Sequence, residues 1–263
     1  MREKSRLKKS AAKVLKFLFP VNYTCNVCDR ECFDGGYYCA DCEKTLPRND
    51  LLICGHCGRH VFNPEEYCYS CRGRETGFEK ARSVFVYAEP IKKMIADFKY
   101  RGMRYLSEVF ASDMAKLYYK SFFNSDVIVF PPMSEERLRE RGYNQAELLA
   151  EELSALINVP VAKGALVKVK ETERQATLSA EERKRNLSGT FKVADSSALK
   201  GKNVLIVDDV MTTGATVEAI SFLLIKCGAK KTDVLSVASV SGGAEGKSVP
   251  HAEEQANMPI NDI

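Results

Sequence analysis

Val204-Leu205-Ile206-Val207-Asp208-Asp209-Val210-Met211-Thr212-Thr213-Gly214-Ala215-Thr216 is the stretch that decides the fold. Its four apolar residues predict a buried strand over 203–207, two carboxylates stand at the strand's carboxyl end, and a Thr/Gly loop leads into the helical spacing of residues 217–226. A loop of this kind at a helix N-terminus aims backbone N–H groups, hydroxyls and the positive end of the helix dipole at one point, which suits a phosphate. Adjacent carboxylates accept hydrogen bonds from a vicinal diol and can hold the hydration shell of Mg²⁺. Together these parts predict a site for a ribose 5-phosphate that carries a further charged group. The stretch contains neither the Gly-Lys-Ser/Thr of a Walker loop nor the Gly-x-Gly-x-x-Gly of a dinucleotide fingerprint.

Outward from this motif, further strands are predicted over 83–87, 127–130, 165–169 and 234–240, alternating with helices over 91–99, 105–119 and 144–156. Alternation of this kind implies an α/β domain with a Rossmann-like, largely parallel sheet, whose ligands sit beyond the carboxyl ends of the strands. The loop Phe130-Pro131-Pro132-Met133-Ser134 follows a strand and is expected at the same sheet edge. Arg137, Arg139 and Arg141 alternate ahead of the next helix and suit a polyphosphate, because guanidinium pairs bidentately with phosphate. Lys99, Tyr100, Arg101, Arg104 and Tyr105 interleave charge with aromatic rings, which fits base stacking beside backbone contact in single-stranded nucleic acid. The plainer reading of the same residues is the polar end of an amphipathic helix. Residues 174–186 are polar and lack apolar periodicity.

The amino-terminal quarter has a different chemistry. Of ten cysteines, nine fall between Cys25 and Cys71, and eight of them form Cys-x-x-Cys pairs: Cys25/Cys28, Cys39/Cys42, Cys54/Cys57 and Cys68/Cys71. The unit repeats after 29 residues, an internal duplication. Two such turns complete a tetrahedral Cys₄ shell, the closed geometry of structural Zn²⁺, so two ions are expected, folding the segment rather than doing chemistry. Sequential and interleaved pairing both remain open, Cys32 is a spare thiol, and His56 and His60 read as surface residues near the second site. A disulfide framework is disfavoured because no export signal is seen: the apolar cluster at 15–19 is interrupted and ends at Pro20. A cytoplasmic protein without a membrane span is therefore expected.

Thirty-nine Lys+Arg against 35 Asp+Glu leave a net charge of +4 over 263 residues, which excludes a uniformly basic nucleic-acid coat and leaves only local patches. The basic start, 1–20, is one such patch, and ribbon arginines such as Arg30, Arg48 and Arg59 offer another, largely offset by nearby acids. The predicted organisation is a basic amphipathic segment over 1–20, a double zinc ribbon over 21–79, the α/β domain over 80–240 and a disordered polar tail over 241–263.

Residues 204–216 resemble the 5-phosphoribosyl-1-diphosphate (PRPP) motif of type I phosphoribosyltransferases. The whole order, paired Cys-x-x-Cys ribbons, then Phe98-Lys99-Tyr100-Arg101-Gly102, then Arg139-x-Arg141-Gly142-Tyr143-Asn144-Gln145, then the PRPP motif, resembles the ComF family. The resemblance implies that Asp208 and Asp209 take the ribose hydroxyls, that Thr212, Thr213, Gly214, Ala215 and Thr216 cradle the 5-phosphate, and that the loop with Met133 and Ser134 holds the diphosphate together with Mg²⁺. It implies that residues 174–186 form a closing loop, so Arg174 and Gln175 join Arg137 as catalytic candidates. It further implies a role in natural competence, with incoming single-stranded DNA and a helicase as partners. Thr212 stands where purine-salvage members carry an acidic residue, which disfavours a hypoxanthine-type reaction. Two functions stay open: a binding protein for PRPP, and an active transferase with an unidentified base or amine as acceptor.

Overall fold

The computed structural model describes residues 24–33, 36–50, 52–61, 67–68, 71–73, 75–169 and 189–240. The expected basic segment at 1–20, the loop with Arg174 and Gln175, and the tail from 241 lie outside the described residues. The chain divides into two compact units, residues 1–46 with 250–263, and residues 47–249. The smaller unit carries the helix α1 (Ala40–Thr45) and the first four-cysteine group.

In the larger unit the order is β1 (Lys80–Val86), α2 (Ile91–Tyr100), α3 (Leu106–Lys120), β2 (Val127–Val129), α4 (Glu135–Arg141), α5 (Gln145–Ile157), β3 (Leu166–Lys168), β4 (Phe191–Val193), β5 (Asn203–Met211), α6 (Ala215–Lys226) and β6 (Lys231–Ser239). Strands β1, β6, β5 and β2 form, in that order, an all-parallel sheet, while β3 and β4 make a separate antiparallel pair. Parallel sheets are covered on both faces. Accordingly β6 is buried from Thr232 to Ser239, and Val204 to Val207 of β5 are buried without a break.

Successive strand residues point to opposite faces, so each strand feeds two cores. Val204, Ile206 and Val234 pack with Val217, Ile220 and Leu224 of α6. Leu205, Val207 and Leu235 take the other face, where Phe110 and Met114 of α3 and Leu149 and Leu153 of α5 are buried. Each such side chain contributes about 1.5–3 kcal/mol on burial.

Three local departures from the sequence reading matter for the site. Strand β5 runs on to Met211, because Asp208, Val210 and Met211 still pair with Ser236, Ala238 and Ser239 of β6. The arginine-rich stretch ahead of α5 is itself a helix, α4, capped by the Ser134 side chain, which accepts from the Arg137 N–H, and closed by Gly142 at φ 77°. Residues two apart on a helix lie about 200° apart, so the alternation does not make one face. Finally, the expected strand at 165–169 shrinks to β3 and finds an antiparallel partner in β4, a three-residue strand with no sequence signature of its own.

Candidate functional site

Above the carboxyl ends of β5 and β2 lies a cleft of ≈ 320 Å³. Its floor is the β5–α6 connection. Gly214 adopts φ 81°, which only glycine takes without strain, and this turn starts α6 at Ala215. The Thr213 hydroxyl accepts from the Ala215 N–H at 3.3 Å, and the Glu218 N–H bonds back to Gly214 O at 2.9 Å. Thr212, Gly214, Ala215 and Thr216 line the cleft at this helix start, where the dipole favours an anion.

Asp208 and Asp209 line the same cleft from the last turns of the strand ladder. The Asp209 N–H donates to Asp208 Oδ1 at 2.8 Å, and Lys99 Nζ donates to Asp209 Oδ1 at 2.8 Å. Burial, then the neighbouring Asp209 carboxylate, push the Asp208 carboxyl up to about 7, against the opposing pull of the Asp209 N–H and Lys99. Burial works against the Lys99 ammonium, yet the carboxylates of Asp209 and Asp208 outweigh it and its pKa is raised. Asp208 thus takes up a proton readily near neutral pH and Lys99 faces Asp209, and a divalent cation would compete with both.

The opposite wall is built by the β2–α4 loop and the starts of α4 and α5. Asn144 Nδ2 donates to Pro131 O at 2.9 Å and its Oδ1 accepts from the Ala146 N–H at 3.0 Å, so one side chain caps α5 and ties down the loop that carries Met133 and Ser134. Arg137 and Arg141, four residues apart on α4, both line the cleft, whereas Arg139 meets Glu135 at 3.8 Å in solvent. Arg141 stacks over the Tyr100 ring at 5.0 Å and donates through Nη1 to Gln145 Oε1 at 3.4 Å. Arg141 Nε and Gln145 Nε2 are buried donors without a hydrogen-bond partner among the described residues. Two guanidinium groups and an orphaned amide donor in one wall suit a polyanionic ligand, and the facing carboxylate pair suits the cation that such a ligand brings.

Both cysteine groups fit zinc. The four Sγ atoms of Cys25, Cys28, Cys39 and Cys42, and those of Cys54, Cys57, Cys68 and Cys71, each lie within 4.8 Å of one another. A tetrahedron with Zn–S of about 2.3 Å has edges of about 3.8 Å, and the Cys28–Cys39 and Cys57–Cys68 sulfurs are 3.8 and 3.7 Å apart. Pairing is therefore sequential. Cys32 is buried outside both groups. His56 stands apart from the shell too, bonded through Nε2 to the Thr76 hydroxyl at 2.5 Å and stacked on Phe78.

Of the residues singled out in the sequence, the cleft gathers Asp208, Asp209, Thr212, Gly214, Ala215, Thr216, Met133, Ser134 and Arg137, while Thr213 lines a second, smaller cavity behind the loop. Lys99, expected beside nucleic acid, lies in the cleft on Asp209. Tyr100 and Arg101 remain exposed, and Arg104 lies over Tyr143 at 4.6 Å. Arg141, read with Arg137 and Arg139 as suited to a polyphosphate, also lines the cleft, whereas sequence reasoning missed Gln145, Tyr87, Lys168 and Phe191 there. Of these only Gln145 carried a signal, standing beside Arg141 in one polar run.

Residues 107–253 match the family model of the phosphoribosyl transferase domain, and residues 14–72 that of the double zinc ribbon domain. Competence protein F of Haemophilus influenzae is 31% identical over 210 residues, covering 76% of this chain and 89% of that protein. DNA utilization protein YhgH of Escherichia coli is 30% identical over 205 residues, covering 74% and 87%. Competence protein ComFC of Bacillus subtilis is 30% identical over 197 residues, covering 72% and 78%. Among the described residues no helix is long and apolar enough to cross a membrane.

Proposed function

This chain belongs to the ComF family, in which a double zinc ribbon precedes a phosphoribosyl transferase domain, and we propose that its cleft binds PRPP with Mg²⁺ in the service of DNA uptake and use. The observation that carries the reading is the convergence in one cleft of three complementary groups: the α6 start, the Asp208/Asp209 pair, and the Arg137/Arg141/Gln145 wall. The 5-phosphate would take the backbone N–H groups and hydroxyls of residues 212–216. The ribose hydroxyls would face Asp208 and Asp209, and the diphosphate would face Arg137, Arg141 and the orphaned Gln145 amide. Mg²⁺, held by the carboxylates and the diphosphate, would supply charge neutralisation. Lys99 then has a role of its own, screening Asp209 while the cation is away.

Titration calorimetry of the zinc-loaded full chain with PRPP and Mg²⁺ tests this. One-to-one binding is expected, weakened about a hundredfold in Asp208→Ala/Asp209→Ala, as for the loss of two charge-assisted contacts. Absent binding, or equal binding by the double variant, would sink the proposal.

A transferase is the second reading, favoured by Arg137 and Arg141 on the wall where leaving diphosphate would need stabilising. It requires diphosphate release with some base or amine, and a barren broad acceptor panel would count against it. Single-stranded DNA and a helicase are the proposed macromolecular partners, and the cytoplasm the proposed location, in keeping with relatives called competence and DNA utilization proteins. Exposed Tyr100 and Tyr105 beside Arg101 and Arg104 are the surface offered to DNA. Affinity there should fall as salt rises, because phosphate contacts release counterions.

A further inference from the structure

The second cysteine group is packed into the phosphoribosyl transferase core, directly behind the phosphate loop. Cys54, Cys57 and Cys68 share one buried cluster with Met211, Val217 and Ile220. The turn is pinned to β1 by the Ala81 N–H, which donates to His56 O at 2.8 Å, by Arg82 Nη2, which donates to Gly55 O at 3.0 Å, and by buried Asn49, whose Nδ2 donates to Gly58 O at 2.6 Å. A cavity of ≈ 30 Å³ then separates Cys57 and Cys71 from Thr213 and Gly214. Arg59 lines this cavity. Its Nη2 lies 3.5 Å from the point that a Cβ on Gly214 would occupy, and its Nε is buried with no hydrogen-bond partner among the described residues.

A Zn²⁺ ion with four thiolates carries two net negative charges, and an anion held by the loop would face it across this small gap. Two anionic centres so placed repel strongly in a poorly hydrated interior unless a cation stands between them. Arg59 stands there. Its counterpart in the first repeat, Arg30, instead donates through Nε to Cys28 Sγ at 3.4 Å and through Nη2 to Asp41 at 3.3 Å, with the Arg30 and Asp41 side chains more than half exposed. The duplication therefore supplies the same arginine twice, and the second copy lies beside the loop.

We propose that Arg59 is a positioning residue for the phosphate loop, carrying the support of the second zinc centre to Thr213 and Gly214 and screening that centre's charge from a bound phosphate. The proposal deepens the PRPP reading and rests on it for the ligand, though not for the loop. In the zinc-loaded full chain, Arg59→Ala should retain two zinc ions per chain yet speed hydrogen exchange of the amides at 213–217 and weaken binding of PRPP and of inorganic phosphate about tenfold. Arg59→Lys should restore most of the affinity, because the charge remains. Arg30→Ala should leave the exchange at 213–217 and both affinities unchanged. Unchanged exchange in Arg59→Ala, an equal response to Arg30→Ala, or loss of a zinc ion from Arg59→Ala would overturn the proposal, the last by reducing Arg59 to a support of the metal shell. If the wild type binds neither PRPP nor phosphate, the functional reading falls, and amide exchange decides this one alone.

Discussion

The two cysteine repeats are copies with different fates. Shifted by 29 residues, their backbones make the same bonds: Cys25 N to Arg30 O at 2.8 Å and Cys54 N to Arg59 O at 2.9 Å, then Asp29 N to Cys25 O and Gly58 N to Cys54 O, both at 3.0 Å. The flanking bridges, Thr24 with Glu31 and Ile53 with His60, obey the same shift. Even the left-handed residue recurs, at φ 58° for Asp29 and 64° for Gly58. What differs is what lies outside. Asp29 is exposed, whereas a Cβ on Gly58 would lie 2.4 Å from Ala81 O. Metal geometry is thus set by the local repeat, and the docking of one repeat on β1 is set by its outward residues.

The largest test of that contrast is to remove one metal at a time. Zinc binding supplies roughly 10 kcal/mol or more to a structural site. Cys54→Ser should therefore abolish cooperative thermal unfolding of residues 47–249, while Cys25→Ser, in the other compact unit, should leave that transition in place. Next comes Gly58→Ala, which adds a backbone clash to a left-handed conformation and should cost roughly 3 kcal/mol in denaturant unfolding. Asp29→Gly at the matching position should instead gain up to about 1 kcal/mol. Comparable effects at the two positions would break the contrast.

The loop that the second repeat backs carries a titration of its own. Asp208 is raised in the folded state, so its ionisation costs stability from its unfolded value of 3.8 upward, and the full cost is reached once pH passes about 7. Asp208→Asn should raise the melting temperature above that pH and lose its advantage as pH falls towards the unfolded value. A cation that competes for the same carboxylate should bind better as pH rises through the same range. The smallest effect on the unfolding of residues 47–249 belongs to Arg30→Ala, whose exposed guanidinium pairs with Asp41 and donates to Cys28 Sγ within the other unit.

The parallel sheet and the Thr/Gly turn into α6 were legible because their signals are local: an apolar run, two carboxylates, then Thr and Gly before a helix. Two ribbons were legible for the same reason, since cysteine spacing is a property of the chain alone. Alternation offered Arg137, Arg139 and Arg141 alike to a polyphosphate, and only the helix beginning at the Ser134 cap brings Arg137 and Arg141 onto one face and leaves Arg139 off it. Lys99 was misplaced for a different reason. Its helix shows apolar spacing at Ile91, Met94, Ile95 and Phe98, but no local pattern says that a carboxylate 110 residues further on will meet its ammonium. Phe191 and Lys168 reach the cleft through a strand pairing too short to leave a period. The docking of the second repeat on β1 was equally hidden, because Gly58 matters only against Ala81, a partner that the fold supplies.

The central claim is that an anionic phosphoribosyl ligand sits at the start of α6 with its cation on the carboxylate pair. Amide NMR of the zinc-loaded chain, titrated with PRPP and Mg²⁺, reads this directly. The account predicts saturable shifts centred on Gly214, Ala215, Thr216 and Val217, accompanied by Asp208 and Asp209, and absent from Asp208→Ala/Asp209→Ala. Shifts confined to other elements, or none at saturating ligand, would contradict it.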